Sequence, residues 1–375
     1  MKIVHIITGL GDGGAEAMLF KLVENTSGIN ITVISLMDEG KYGSKIKNLD
    51  IRLHILGLNR NSFSFLSIFK LYKILKNEKP DVVQTWMYHS NILGGLIAWL
   101  LGIKKIYWNI RGENIRLNNI SIKNKIVFYL SIFFSHFIPR KIITCSKKAI
   151  TFHLSKGYKD NFYYIPNGFN KKDFFTIDNN KILTQRKQWN KNLPKFILGV
   201  VARHHPQKNH ELIFNAIHKL KKNKFYNDIF FIFSGENINY QNTELTKIIN
   251  ELKIGNKLIL LNKNTEMNII YNSIDVLILA SGYGEGFPNV IGESMLCGTP
   301  CIVSNSGESH EIVGSNGWLI KNNDVDDLVE KICDSYSTRF ETKKWQDLST
   351  KCVNYINNNF DIKKIVKLYE EIWSR

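Results

Sequence analysis

The sequence has no C-x-x-C pair, and its cysteines, Cys145, Cys297, Cys301, Cys333 and Cys352, are odd in number and mostly set among apolar neighbours. That pattern does not describe a disulfide framework; it describes reduced packing residues of a cytosolic protein. Long apolar runs are missing too. No stretch reaches the roughly 18 consecutive apolar residues of a membrane-spanning helix. The short run after Lys2 is broken by Gly9 and Asp12, so a first strand is expected there instead of a signal peptide. Acidic residues are scarce, 33 against 50 Lys and Arg. No basic motif interleaved with aromatics accompanies that excess, which argues against a nucleic-acid partner. The D-x-D triplet Asp324-Val325-Asp326 stands at a helix start, where acids cap the helix and offset its dipole, so no metal site is expected.

What is present fits a soluble globular chain. Hydrophobic content of 44% and charged content of 22% argue against disorder, and 375 residues suit two domains better than one core. The net charge of +17 is uneven: residues 1–170 hold 23 Lys and Arg against 10 Asp and Glu, and residues 171–375 hold 27 against 23. The basic first half points to an anionic partner, with an anionic membrane surface as the expected one. The apolar run from Ile126 to Ile138, flanked by Lys123, Lys125, Arg140 and Lys141, suits either a core helix or a helix lying on a membrane.

Functional chemistry is densest around residues 275–293. The apolar run Asp275 to Ala280 reads as a buried parallel strand, Ser281 to Pro288 as a glycine-rich loop, and the segment carrying Glu293, stopped by Gly298-Thr299-Pro300, as a helix. Such a loop aims backbone N–H groups and the positive end of a helix dipole at a phosphate or diphosphate. Gly284 and Gly286 let a ligand approach the backbone. Glu285 at the mouth and Glu293 about two turns on are spaced to hold hydroxyls at opposite ends of one elongated anionic ligand, the shape of a nucleotide sugar.

Two glutamates eight positions apart, around Gly286-Phe287-Pro288 and before Cys297-Gly298-Thr299-Pro300, resemble the E-x7-E signature of the retaining glycosyltransferases of family 4. Further stretches share the resemblance. Gly13-Gly14-Ala15-Glu16 is similar to the family's first loop, Ile165-Pro166-Asn167-Gly168 to the segment closing its first domain, and the helical pattern from Phe360 to Trp373 to its terminal helix. Arg203, after the strand Lys195 to Ala202, and Lys208, five residues on, match the pair that neutralises the donor diphosphate.

The resemblance implies an α/β chain of GT-B fold, with two Rossmann-like domains facing each other across a cleft. Residues 1–170 would form the acceptor-binding domain, 171–192 a linker, 193–357 the nucleotide-sugar donor domain, and 358–375 a terminal helix crossing back to the first domain. It implies no cofactor, a UDP-sugar as substrate, and a glycan or lipid-linked acceptor in capsule, O-antigen or other surface-polysaccharide assembly. The expected place is the cytoplasm, at the inner face of the plasma membrane. Glu285, Arg203, Lys208 and His89 would be catalytic. Gly14, Gly235, Asn262, Gly286, Phe287, Pro288, Asn289, Val290 and Glu293, with Arg203, Lys208 and Glu285, would meet the donor; Gly13, His89 and Arg111 would meet the acceptor. This chain departs from the family pattern at Arg111, where many relatives have histidine, and at Ser234-Gly235-Glu236 and Asn262, so the base stays open.

Two rival readings stay open. Gly9-x-Gly11-x-x-Gly14 after a first strand, with Asp38 after the second, is also the form of a dinucleotide-binding oxidoreductase. A nucleotide-sugar epimerase of the same fold would convert donor without any acceptor.

Overall fold

The computed structural model describes residues 1–58, 65–112, 121–263 and 266–375. The chain divides into two compact units, residues 1–168 with 362–375, and residues 169–361.

In the first unit strands and helices alternate: β1 (Lys2–Ile7), α1 (Gly14–Asn25), β2 (Asn30–Ser35), α2 (Gly40–Lys47), β3 (Arg52–Ile55), α3 (Phe65–Glu78), β4 (Val82–Trp86), α4 (Tyr88–Leu100), β5 (Ile106–Ile110), α5 (Ile122–Ser135), β6 (Lys141–Thr144), α6 (Lys147–Ser155) and β7 (Phe162–Tyr164). All pairings are parallel, in the order β3-β2-β1-β4-β5-β6-β7. The central strands β4 and β5 are buried at every residue, as a parallel sheet covered on both faces requires.

The second unit runs α7 (Asn179–Trp189), β8 (Phe196–Val201), α8 (His210–Leu220), β9 (Ile229–Ser234), α9 (Thr243–Glu251), β10 (Leu258–Leu261), α10 (Met267–Ser273), β11 (Val276–Leu279), α11 (Asn289–Leu296), β12 (Cys301–Ser304), α12 (Ser309–Val313), β13 (Gly317–Ile320), α13 (Val325–Phe340) and α14 (Thr342–Phe360). Its parallel sheet has the order β10-β9-β8-β11-β12-β13. Strand order therefore reverses beside β1 in one sheet and beside β8 in the other, and ligands of open α/β sheets bind at the carboxyl ends of strands at such switch points.

Helix α15 (Ile362–Ser374) packs in the first unit. Ile365, Val366, Tyr369, Ile372 and Trp373 join the core on one face of its sheet, and Trp373 Nε1 donates to Gln84 Oε1 at 2.7 Å. Residues 171–192, expected as a linker, hold helix α7 inside the second unit. The Asp178 side chain caps α7 by accepting from Asn180 N at 2.8 Å. One buried acid ties three elements there. Asp275 accepts from Ile197 N at 2.8 Å and Arg339 Nε at 2.8 Å, and pairs with Arg186 Nη2 at 3.0 Å.

Two buried histidines of the first unit are held neutral. Burial lowers His5 to about 3 and His153 to about 4. His5 Nδ1 accepts from Trp86 Nε1 at 3.3 Å. His153 Nδ1 is 2.6 Å from the Ala149 carbonyl and its Nε2 is 2.6 Å from the Tyr88 hydroxyl, so Nδ1 donates and Nε2 accepts. Unfolded histidines bind protons near pH 6.5, whereas these do so only near 4 or below. Stability is therefore full above about pH 6.5 and is lost as pH falls toward 4, by up to about 1.4 kcal/mol per pH unit for each site. Urea midpoints measured across that range should show this loss, and His153→Phe should reduce it while His5 keeps its share.

Candidate active site

The loop following β11 is fixed by bonds made from within the second unit. Gly282 N donates to Gln207 O at 2.9 Å, and Ser304 Oγ donates to Ser281 O at 2.6 Å. Glu308 N donates to Gly286 O at 2.9 Å. Gly307 lies at φ +58°, and a Cβ there would meet Glu285 O at 2.4 Å, so glycine is required where the two segments touch. Gly284 also has positive φ, +74°. Pro288 is the N-cap of α11, with no capping side chain and no acid in the first turn. Pro288 has no side-chain acceptor and so does not itself cap the first N–H groups of α11.

Glu285 is buried. Its Oε1 accepts from Ser281 Oγ at 2.6 Å and is paired with Lys208 Nζ. Lys208 closes a turn of 3-10 helix, Pro206–Lys208, after β8. The turn's shape is set by His205, whose Nδ1 accepts from Gln207 N at 3.2 Å, and by Asn209 in the left-handed region at φ 53°. Asn209 Nδ2 donates to Asn323 Oδ1 at 2.9 Å. Arg203 is exposed and has no ion pair among the described residues. The local positive field is visible at His205, lowered by burial first and then by Arg203, Lys208 and His204.

Glu293 is half-buried on α11, and its Oε2 accepts from Tyr271 OH at 2.9 Å. Burial and Glu293 hold the Tyr271 hydroxyl well above its ordinary value, so it stays a donor. The Phe287 ring is buried against Phe169 and Phe360. Asn289 and Val290 are half-buried in the first turn of α11.

Gly235 stands where β9 meets β8. A Cβ would lie 2.1 Å from the Ala202 carbonyl oxygen, next to Arg203. Gly235→Ala should therefore push the segment carrying Arg203 out of place and lower the thermal midpoint, which a thermal melt followed by circular dichroism checks. Asn262 is exposed after β10, and its carbonyl accepts from Ser234 Oγ at 3.4 Å.

In the first unit Gly13 caps α1 without a side-chain bond and Gly14 opens the helix. Glu16 folds back on this turn. Its carboxyl is raised, chiefly by burial, with Asp12 and Asp38 adding and a bond from its own backbone opposing. His89 is exposed in the first turn of α4. Just before it, Met87 has φ 72° and ψ 158°, a region that side chains avoid at a cost of about 1–3 kcal/mol. Strain thus sits at the carboxyl end of β4, beside the switch point.

Arg111 is a fixed group, not a solvated surface arginine. Its guanidinium lies 5.4 Å from the Trp86 ring centroid, Nη1 donates to Asn109 Oδ1 at 3.3 Å, and Nη2 donates to Asn167 Oδ1. Sequence reasoning missed these partners, along with Ser281 as a support of Glu285 and Tyr271 as a support of Glu293. Asn167 was visible only as part of the Ile165 to Gly168 stretch.

Two family models match the chain: Glycosyltransferase Family 4 over residues 13–173, and Glycosyl transferases group 1 over residues 181–353. The chain is 27% identical over 328 residues to the UDP-Gal:alpha-D-GlcNAc-diphosphoundecaprenol alpha-1,3-galactosyltransferase of Escherichia coli, covering 82% of this chain and 78% of that protein. It is 24% identical to the N,N'-diacetylbacillosaminyl-diphospho-undecaprenol alpha-1,3-N-acetylgalactosaminyltransferase of Campylobacter jejuni, with 80% of each covered. Among solved structures, Anabaena HepE in complex with UDP has a TM-score of 0.85 at 19% identity over the whole of both chains.

Proposed function

We propose that this chain, which belongs to glycosyltransferase family 4 and has its GT-B fold of two Rossmann-like parallel-sheet units, moves a hexose from a UDP-sugar to a hydroxyl of a lipid-diphosphate-linked glycan in surface-polysaccharide assembly. The observation that carries this reading is the cation set beyond β8: exposed Arg203 and half-buried Lys208, the latter parked on Glu285 just before the start of α11.

A donor diphosphate offers Lys208 more negative charge than Glu285 does, so Lys208 turns to the phosphates with Arg203 and the α11 N–H groups. Glu285, still held by Ser281, is released to accept from sugar hydroxyls. Glu293 has Oε2 held by Tyr271, and Oε1 accepts from the ribose. As charge grows on the departing diphosphate, these preorganised groups stabilise it without reorganising. The donor C1–O bond breaks, the acceptor oxygen bonds to C1 on the same face, and the acceptor proton passes to the leaving phosphate. Configuration is retained, and neither a protein nucleophile nor a metal is called on.

In the first unit Gly13, His89 and the fixed Arg111 guanidinium serve the acceptor; a rigid planar cation suits a phosphate oxygen pair. The relatives named above act on lipid-diphosphate acceptors, which favours transfer over epimerisation. It also favours work at the inner face of a membrane. The match of a glycosyltransferase model from residue 13 on favours the same reading of the first loop over the oxidoreductase one.

The test is incubation with single UDP-sugars and a lipid-diphosphate-linked monosaccharide. A product heavier by one hexose, with the donor's anomeric configuration, is expected. Turnover of donor into an epimer without acceptor would refute the reading.

A further inference from the structure

Helix α5 is apolar on both its inner and its outer side. Its inner side carries Phe128 with Ser131 and Ser135, all buried, and Ile132 and Phe134 pack against the same core. Its outer side carries Ile126, Tyr129, Leu130 and Phe133, continued beyond the helix by Phe137, all 41–63% exposed. The serines are satisfied locally: Ser131 Oγ bonds to Phe128 O at 2.7 Å and also contacts Tyr158 OH, and Ser135 Oγ bonds to Ile132 O at 2.6 Å. An amphipathic helix with a water-exposed face would carry polar residues where Ile126, Tyr129, Leu130 and Phe133 stand. The neighbouring helix α4 adds Trp99, 49% exposed. Such a contiguous apolar patch marks an interaction surface.

Charge selects the partner. From residue 82 to 159 the sequence holds 12 Lys and Arg and a single acid, and Lys123, Arg140 and Lys141 are exposed around α5. A second copy of the chain meeting this face across a two-fold axis would set like charges together with no acids to balance them. An anionic bilayer supplies both the apolar layer and the negative charge. No helix among the described residues is long and apolar enough to cross a membrane, so the contact is with the surface. Because α5 joins the parallel strands β5 and β6, it runs antiparallel to them. Its first turn therefore lies at their carboxyl edge, the edge that carries Arg111.

We infer that the outer face of α5, with Trp99 and the flanking lysines, is the surface by which this chain rests on an anionic membrane, presenting the carboxyl edge of the first sheet to lipid-linked acceptors. The inference deepens the function proposed above and rests on its reading of the acceptor. It also resolves the two readings of the Ile126 to Ile138 run toward the membrane.

The full chain is cosedimented, without donor or acceptor, with vesicles of phosphatidylcholine alone and of phosphatidylcholine mixed with phosphatidylglycerol. Binding to the mixed vesicles is expected, weakening with salt as the Debye length shortens from about 10 Å at 0.1 M to about 3 Å at 1 M. Phe133→Ser with Phe137→Ser should lose about tenfold or more in partition. Lys123→Glu with Lys125→Glu should lose binding to the mixed vesicles. Both pairs are solvent-facing or nearly so, and unchanged thermal midpoints will show that they fold. Equal partition into both vesicle types, or unaltered binding by both pairs, would overturn the inference. So would a dimer in light scattering that the Phe pair dissolves. Transfer to a water-soluble diphosphate acceptor is assayed alongside: absence of transfer counts against the proposed function alone, and absence of vesicle binding against the inference alone.

Discussion

Lys208→Ala should lower kcat for sugar transfer by about 100- to 1000-fold, the usual loss when one preorganised charge-stabilising group is removed. Lys208 is the half-buried cation of the proposed donor site, held on Glu285 by the turn after β8. Its removal acts twice. The leaving diphosphate loses a cation, and Glu285 keeps only Ser281 as partner in a buried position, so the thermal midpoint should fall as well. The two effects separate in the double variant Lys208→Ala with Glu285→Gln. Removing the stranded charge should restore much of the midpoint while activity stays low, a coupling that a double-mutant cycle reads directly. Arg203→Ala is the complementary case. Arg203 is exposed and has no ion pair among the described residues, so its loss should cut kcat/KM and leave the midpoint unchanged. Activity of Lys208→Ala within a few-fold of the parent would remove Lys208 from the mechanism.

Asp275→Ala should destabilise the chain by about 3–5 kcal/mol, the cost of breaking a buried ion pair on one side. Asp275 anchors the start of β11, and through it the loop that carries Glu285. The substitution leaves Arg186 and Arg339 facing each other without their acid and strands the Ile197 N–H. Asp275→Asn keeps an acceptor for Ile197 N but not the charge, so it should lie between the two. Urea unfolding followed by circular dichroism measures all three proteins. A loss below about 1 kcal/mol for Asp275→Ala would mean that the arginines find other partners, as solvent-screened pairs do.

The fold was legible where a local signal was decisive. An apolar run, glycines and a helical pattern gave strand, loop and helix from 275 to 296 because a strand covered on both faces reads as a nearly continuous apolar run and the loop requires its glycines. The role proposed for Arg203 and Lys208 comes from the family resemblance, but their placing just beyond a strand was legible because an apolar run precedes them. Their partners were not: Lys208 and Glu285 lie 77 positions apart, and nothing local links them. The same holds for Arg111, whose fixing by Trp86 and Asn167 depends on three separate strand ends. Helix α7 hid in a Lys/Asn-rich stretch because it buries only Trp189 and is held by its cap and by Arg186. The outward face of α5 was hidden for the opposite reason. A helix apolar on every side has no periodicity to say which side is in, and only the burial of its serines does.

The account stands on donor recognition in the second unit, and a thermal-shift screen of the parent protein, Lys208→Ala and Glu293→Ala against UDP, GDP, ADP, their sugar conjugates, NAD and NADP tests it most directly. A ligand that binds only the native state raises the midpoint, by about 2.7 kcal/mol of stability at 100 times its Kd. The account predicts a shift with UDP and a UDP-sugar that is lost in both variants. A shift with NAD or NADP alone, unchanged in both, would contradict it and return the site to the loop of residues 9–14.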